Sequence, residues 1–145
     1  AEDSGVNEGV GVLEIGPGIG PLTQQLCLRA KKVCAVELDT RLKPILAQTV
    51  GEFTNLEIVW DDVLKQDVKA LVAEKFAGLK PMACANLPYY ITSPVIMALL
   101  ESRLPIEAVT VMVQKEVAQR IAAKRSFIAV DEGAVSCLGT FVLIS

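Results

Sequence analysis

The run Asn86-Leu87-Pro88-Tyr89-Tyr90 brings together an amide, a proline-fixed carbonyl and two aromatic rings, a set suited to holding a planar ring that bears an amine. The Asn86 side-chain oxygen and the Leu87 carbonyl are acceptors for N–H protons. Pro88 restricts Leu87 to an extended backbone, which leaves that carbonyl available. Drawing on both protons of an amine localises its nitrogen lone pair and makes it a nucleophile. Tyr89 offers a face on which the ring stacks, while Tyr90 fits equally well as core. These residues need an electrophile beside them.

The residues that could hold one stand earlier in the chain. Glu14-Ile15-Gly16-Pro17-Gly18-Ile19-Gly20 follows an apolar run, and glycines at such a turn let the backbone approach a ligand closely. The spacing is G-x-G-x-G with Pro21 where a dinucleotide fingerprint needs its last glycine, so NAD fits poorly. Glu37 ends the next apolar run, roughly twenty residues on, placed to accept both hydroxyl protons of a ribose. Asp39 precedes a helical pattern and suits a helix cap. Asp61-Asp62-Val63 ends a third run, where a carboxylate accepts from an adenine amine and the next N–H donates to a ring nitrogen. An adenosine whose other end is not a pyrophosphate matches this order, as in S-adenosylmethionine. The residues singled out on the cofactor side are Glu14, Gly16, Gly18, Glu37, Leu38, Val63 and either Asp61 or Asp62, both of which could also merely end the strand, and on the target side Asn86, Leu87, Pro88 and Tyr89.

Composition narrows the chemistry further. The 145 residues contain no histidine, which excludes Ser/His/Asp triads, Cys/His pairs and histidine metal sites. Cys27, Cys34, Cys84 and Cys137 lie in apolar stretches without a C-x-x-C, the pattern of buried thiols. The net charge of −3 gives no global attraction for a polyanion, so any nucleic-acid contact must be local. Arg29, Lys31 and Lys32 in one turn, and Lys115, Arg120, Lys124 and Arg125 in a late segment, read better as solvated surface than as an RNA footprint.

The elements that must position these groups follow from periodicity. Apolar runs at Val10 to Ile15, Val33 to Leu38, Leu56 to Trp60, Met82 to Ala85 and Ala108 to Val113 predict strands. Helical spacing predicts helices over Pro21 to Ala30, Arg41 to Val50, Val68 to Phe76, Ser93 to Ser102 and Lys115 to Lys124. Leu42, Ile45, Leu46 and Val50 would share one face of the second. Crossovers this long join parallel strands, so the expected fold is α/β, a doubly wound, mostly parallel sheet of Rossmann-like type. Ligands of such sheets bind at the carboxyl ends of the strands, where the strand order reverses.

The strings LEIGPGIGPLT, AVELD, DDVL, ANLPYYITSP and MVQKEVAQRIAAK closely resemble the bacterial small-subunit (16S) rRNA adenine N6,N6-dimethyltransferases, the KsgA/RsmA family, from about Val12 to Lys124. The resemblance implies a class I S-adenosylmethionine-dependent methyltransferase fold. It implies dimethylation of two adjacent adenines in the 3′-terminal hairpin of small-subunit rRNA, within a pre-30S particle. By matching position, Gly16, Glu37, Asp62 and Asn86 would contact the cofactor, and Asn86, Leu87, Pro88 and Tyr89 the target base. It further implies a monomer in the cytoplasm that uses neither membrane nor metal. Against that family the chain is expected to be a fragment, with a methyltransferase core at 1–124 and a divergent tail at 125–145. It would lack the Gln-(Asn/His)-Phe-Leu type leading segment and the basic helical C-terminal domain. The alternatives are an inert fragment, an rRNA-binding assembly factor, or an amino-methyltransferase acting on large-subunit rRNA, DNA or protein.

Overall fold

A computed structural model describes residues 8–86, 108–113, 128–131, 134–137 and 140–144, with side chains over 8–85. β1 (Val10–Ile15) is buried along its whole length, as a strand flanked on both edges and covered on both faces must be. α1 (Pro21–Arg29) begins with Pro21 in its first turn, where the missing N–H costs nothing. β2 (Lys32–Glu37) follows, then a 3₁₀ turn (Thr40–Leu42) and α2 (Lys43–Thr49). β3 (Leu56–Trp60), a second 3₁₀ turn (Val63–Lys65), α3 (Val68–Lys75), β4 (Lys80–Asn86) and β5 (Ala108–Val113) complete the run.

All five predicted strands are present, and the first five pair in parallel in the order β3-β2-β1-β4-β5. The order reverses between β1 and β4. The two faces of β1 receive different helices, so the sheet is doubly wound. Val10 and Val12 meet Leu26, Cys27 and Ala30 of α1 together with Val33, Met82 and Cys84, while on the opposite face Gly11 lies under Phe76 at the end of α3. A Cβ at Gly11 would stand 2.4 Å from Phe76 Cδ1, so that approach requires glycine. Asn55 Nδ2 donates to the Cys27 and Ala30 carbonyls at 2.8 and 3.1 Å, which closes the end of α1 and anchors the turn into β3.

Two sequence expectations need correction. The helix predicted over Arg41 to Val50 starts at Lys43, because Pro44 is accepted only in a first turn, and residues 40–42 form a 3₁₀ turn instead. Its apolar stripe shortens accordingly: Leu46 and Val50 are buried, but Ile45 is 40% exposed. β4 begins two residues early, and Pro81 falls inside it. This is tolerated because β5 starts pairing only at Met82, so the missing N–H of Pro81 takes nothing from β5. Within the tail expected at 125–145, β6 (Ile128–Asp131), β7 (Ala134–Cys137) and β8 (Thr140–Ile144) form an antiparallel meander that extends the sheet, and β8 pairs in parallel with β5. The helices predicted at Ser93 to Ser102 and Lys115 to Lys124 lie outside the described residues.

Candidate functional site

Strand register brings the predicted groups to one level. Ile15 pairs with Val36 on one side and with Ala85 on the other, so Gly16 stands between Glu37 and Asn86 at the carboxyl ends of the central strands. Glu37 pairs with Trp60, which places Asp61 and Asp62 immediately beyond that line. Gly16, Glu37, Asp62 and Asn86 thus occupy adjoining strand tips around the point of reversal. The backbone of Asn86 ends β4; Leu87, Pro88 and Tyr89 lie outside the described residues.

The glycine loop is held from several directions. Gly16 N–H donates to the Val36 carbonyl at 3.0 Å, and Gly20 N–H to the Pro17 carbonyl at 3.1 Å. Gly16, Gly18 and Gly20 all take positive φ, and around Gly18 the space where a Cβ would point is open for at least 4 Å. Glu37 joins this loop directly. Its carboxyl accepts from the Gly18 N–H and, at 3.3 Å, from the Asp39 N–H, while burial raises its pKa. Two backbone donors leave a carboxylate with acceptor capacity for a ligand's hydroxyls.

Glu14 occupies a different position from that of a surface ligand group. It is 1% exposed on the α1 face of β1, and Thr23 Oγ1, itself fully buried, donates to Glu14 Oε2 at 2.6 Å. Burial pushes the Glu14 carboxyl up to about 7; the Thr23 bond opposes this and the Glu37 charge adds to it. Oε1 has no hydrogen bond among the described residues, an orphaned acceptor beneath the loop. The period of two along Val10, Val12 and Glu14 is the signal from which a buried partner on α1 could have been inferred.

At the adenine end the two aspartates differ. Asp61 spends both oxygens locally, on the Asp62 N–H at 2.8 Å and the Gln66 amide at 2.5 Å. Asp62 caps the 3₁₀ turn through one oxygen, which accepts from Leu64 N–H at 2.9 Å, and the other has no partner among the described residues. Val63 opens that turn. Asp39 caps as predicted, accepting from Arg41 N–H at 3.0 Å. Leu38, Ile19 and Leu64 are 66%, 59% and 51% exposed, so each of these strand-end segments carries an uncovered apolar side chain.

Cys27, Cys34 and Cys84 are buried and form no disulfide among the described residues. Burial pushes Cys27 to about 12 and Cys34 to about 11, which removes both from nucleophilic work. Lys31 and Lys32 flank the start of β2, at the sheet end opposite the site. Lys115, Arg120, Lys124 and Arg125 lie outside the described residues. No described helix is long and apolar enough to cross a membrane.

The donor set fits an S-adenosylmethionine-type ligand. It offers an open glycine turn, a half-satisfied acid for a diol, a spare Asp62 oxygen for an exocyclic amine, and an orphaned carboxyl oxygen near the loop. The family model described as ribosomal RNA adenine dimethylase matches residues 1–136. The chain is 57% identical over 120 residues to ribosomal RNA small subunit methyltransferase A of Anoxybacillus flavithermus, covering 82% of this chain and 41% of that protein. It is 54% identical over 126 residues to the same-named protein of Bacillus licheniformis, covering 86% and 43%. Among solved structures, the 23S rRNA methyltransferase ErmE superposes with TM-score 0.67 at 28% identity over 88% of this chain and 49% of that one. A dimethyladenosine transferase from Plasmodium falciparum does so with TM-score 0.64 at 31% identity over 82% and 41%. The chain therefore spans about two-fifths of the length of the curated relatives it matches. Its fold is the Rossmann-like one of class I S-adenosylmethionine-dependent methyltransferases.

Proposed function

The chain belongs to the ribosomal RNA adenine dimethylase family, and from that premise we propose that it carries the methyl-transfer core of a small-subunit rRNA adenine N6-dimethyltransferase. The observation that carries this reading is the common level of Gly16, Glu37 and Asn86 across the strand reversal. S-adenosylmethionine, when bound, supplies an electrophilic methyl group. Gly16 and Gly18 would admit its amino-acid end, with Glu14 beneath the loop. Glu37 and Leu38 would hold the ribose side, and Asp62 with the Val63 N–H the adenine.

The target nitrogen is the work of the next segment. The Asn86 amide oxygen and Leu87 carbonyl accept the N6 protons of an extruded adenine, and Tyr89 stacks on its ring. The lone pair is thereby aimed toward the glycine loop beside Asn86. The nitrogen's surplus proton is acidic once alkylated, so water suffices to take it and the absence of histidine is no obstacle. The proposed substrate is two adjacent adenines near the 3′ end of small-subunit rRNA in a pre-30S particle, met by a monomer in the cytoplasm without a metal.

The test is transfer of labelled methyl from S-adenosylmethionine to undermethylated small ribosomal subunits. It should be run with this chain and with the same residues set within a full-length relative, followed by nucleoside analysis. N6,N6-dimethyladenosine in the small-subunit rRNA is the expected product. Label in large-subunit rRNA, in DNA or in protein would refute the substrate, and cofactor binding without transfer would favour an assembly factor or an inert core.

A further inference from the structure

One peptide plane in the glycine loop is pinned from both sides. Between Ile19 and Gly20, the Gly20 N–H donates to the Pro17 carbonyl at 3.1 Å, while the Ile19 carbonyl accepts from Thr49 Oγ1 at 2.8 Å. Thr49 closes α2, thirty positions along the chain. Its own carbonyl accepts from Gln24 Nε2 of α1 at 2.8 Å, so the hydroxyl is presented from a fixed point. Gly20 sits at φ 105, and a Cβ there would stand 2.8 Å from Thr49 Oγ1. Loop crest and helix end are therefore in direct contact.

We infer that Thr49 is a positioning residue for the cofactor, setting the crest of the glycine loop before any ligand arrives. The other restraints on the loop come from the β1-α1-β2 unit: Val36 holds Gly16, Glu37 holds Gly18 and Pro17 holds Gly20. Of these only the Gly20 to Pro17 bond bears on the Ile19-Gly20 plane, and it holds the amide side alone. Without an outside donor, a glycine at positive φ permits the Ile19-Gly20 plane to rotate, and rotation breaks the Gly20 to Pro17 bond as well. A loop already in one state spares the ligand that ordering cost. Neither Gln24 nor Thr49 touches a predicted cofactor group, so both act through the loop.

This inference rests on the proposed methyltransferase reading for its ligand but not for its mechanics, and two measurements separate them. The first is calorimetric titration of the chain with S-adenosylhomocysteine; the second is hydrogen exchange of the Gly18 and Gly20 amides in the unliganded chain. Thr49→Val, which keeps the shape and loses the donor, should weaken binding about fivefold, the size of one neutral hydrogen bond. It should also speed exchange at both amides with little change in melting temperature. Thr49→Ser, which keeps the hydroxyl, should restore both. Wild-type affinity and wild-type exchange in Thr49→Val would overturn the inference. If the unmodified chain binds no S-adenosylhomocysteine, the methyltransferase reading fails for this chain. Exchange then decides alone: faster exchange in Thr49→Val and not in Thr49→Ser upholds the brace, and equal exchange removes it.

Discussion

Replacing Glu14 by Gln should flatten the dependence of stability on pH across neutrality. Glu14 is buried against Thr23, and its carboxyl titrates near 7 in the fold instead of at the ordinary 4.5. Between these values the native state holds a proton that the unfolded chain has released. Stability contributed by the neutral carboxyl is thus complete below about 4.5 and is lost as pH rises through about 7. At about 1.4 kcal/mol per pH unit, the displacement amounts to roughly 3 kcal/mol. Glutamine is nearly the same shape, its carbonyl still accepts from the Thr23 hydroxyl, and it never ionises. Urea denaturation at intervals from pH 5 to pH 8 measures the difference. Wild type should already have lost under about 1 kcal/mol at pH 5, and from there to pH 8 Glu14→Gln should gain about a further 2.5 kcal/mol relative to it. Glu37 is shifted in the same direction mainly by its own burial, which is common to both proteins, and its charge is part of what raises Glu14 in the wild type. Parallel curves for the two proteins would refute the assignment of a neutral, buried Glu14.

Thr23→Val leaves the Glu14 oxygen without its donor and should cost about 1–3 kcal/mol of stability in denaturant titration, while moving the Glu14 titration higher still; a loss below about 0.5 kcal/mol would contradict the bond. Gly11→Ala drives a methyl into Phe76 and should cost about 1–3 kcal/mol, with Phe76→Leu recovering part of it in the double variant. Asn86→Ala should lower methyl transfer at least about a hundredfold, the scale of removing one positioned hydrogen-bonding group, with the melting temperature unchanged; transfer at the wild-type rate would dismiss its amide from the reaction.

Much of the site could be read in the residues because it lies at strand ends. A buried parallel strand is a continuous apolar run, so its last residue is conspicuous. In this fold ligands gather around the strand ends, which is how Gly16, one residue past β1, Glu37, the last of β2, and Asp62, two past β3, were legible as candidates. Thr23, Gln24 and Thr49 were not, since a hydroxyl on a helix has an ordinary solvated explanation and its partner is fixed only when helices meet the loop. Ile45 shows the same gap: a periodic stripe predicts a face, but a proline that delays the helix start decides how much of it is covered. The strands at 128–144 carry their own signal, apolar runs divided by Asp131-Glu132-Gly133 and Leu138-Gly139, the punctuation of short hairpins.

The neighbours of β1 are drawn from very different distances along the chain, and this orders the assembly of the molecule. β2 and β3 join on one side from contiguous residues, so the glycine turn, Glu37 and Asp62 come together within the first sixty or so positions. The other side of β1 stays open until Lys80–Asn86 has been synthesised and inserted. That long-range pairing carries the larger loop-closure cost. Because Asn86 ends the inserted strand, the proposed cofactor groups would meet before the proposed target side does, and completing the central sheet would at the same stroke complete the proposed transfer site.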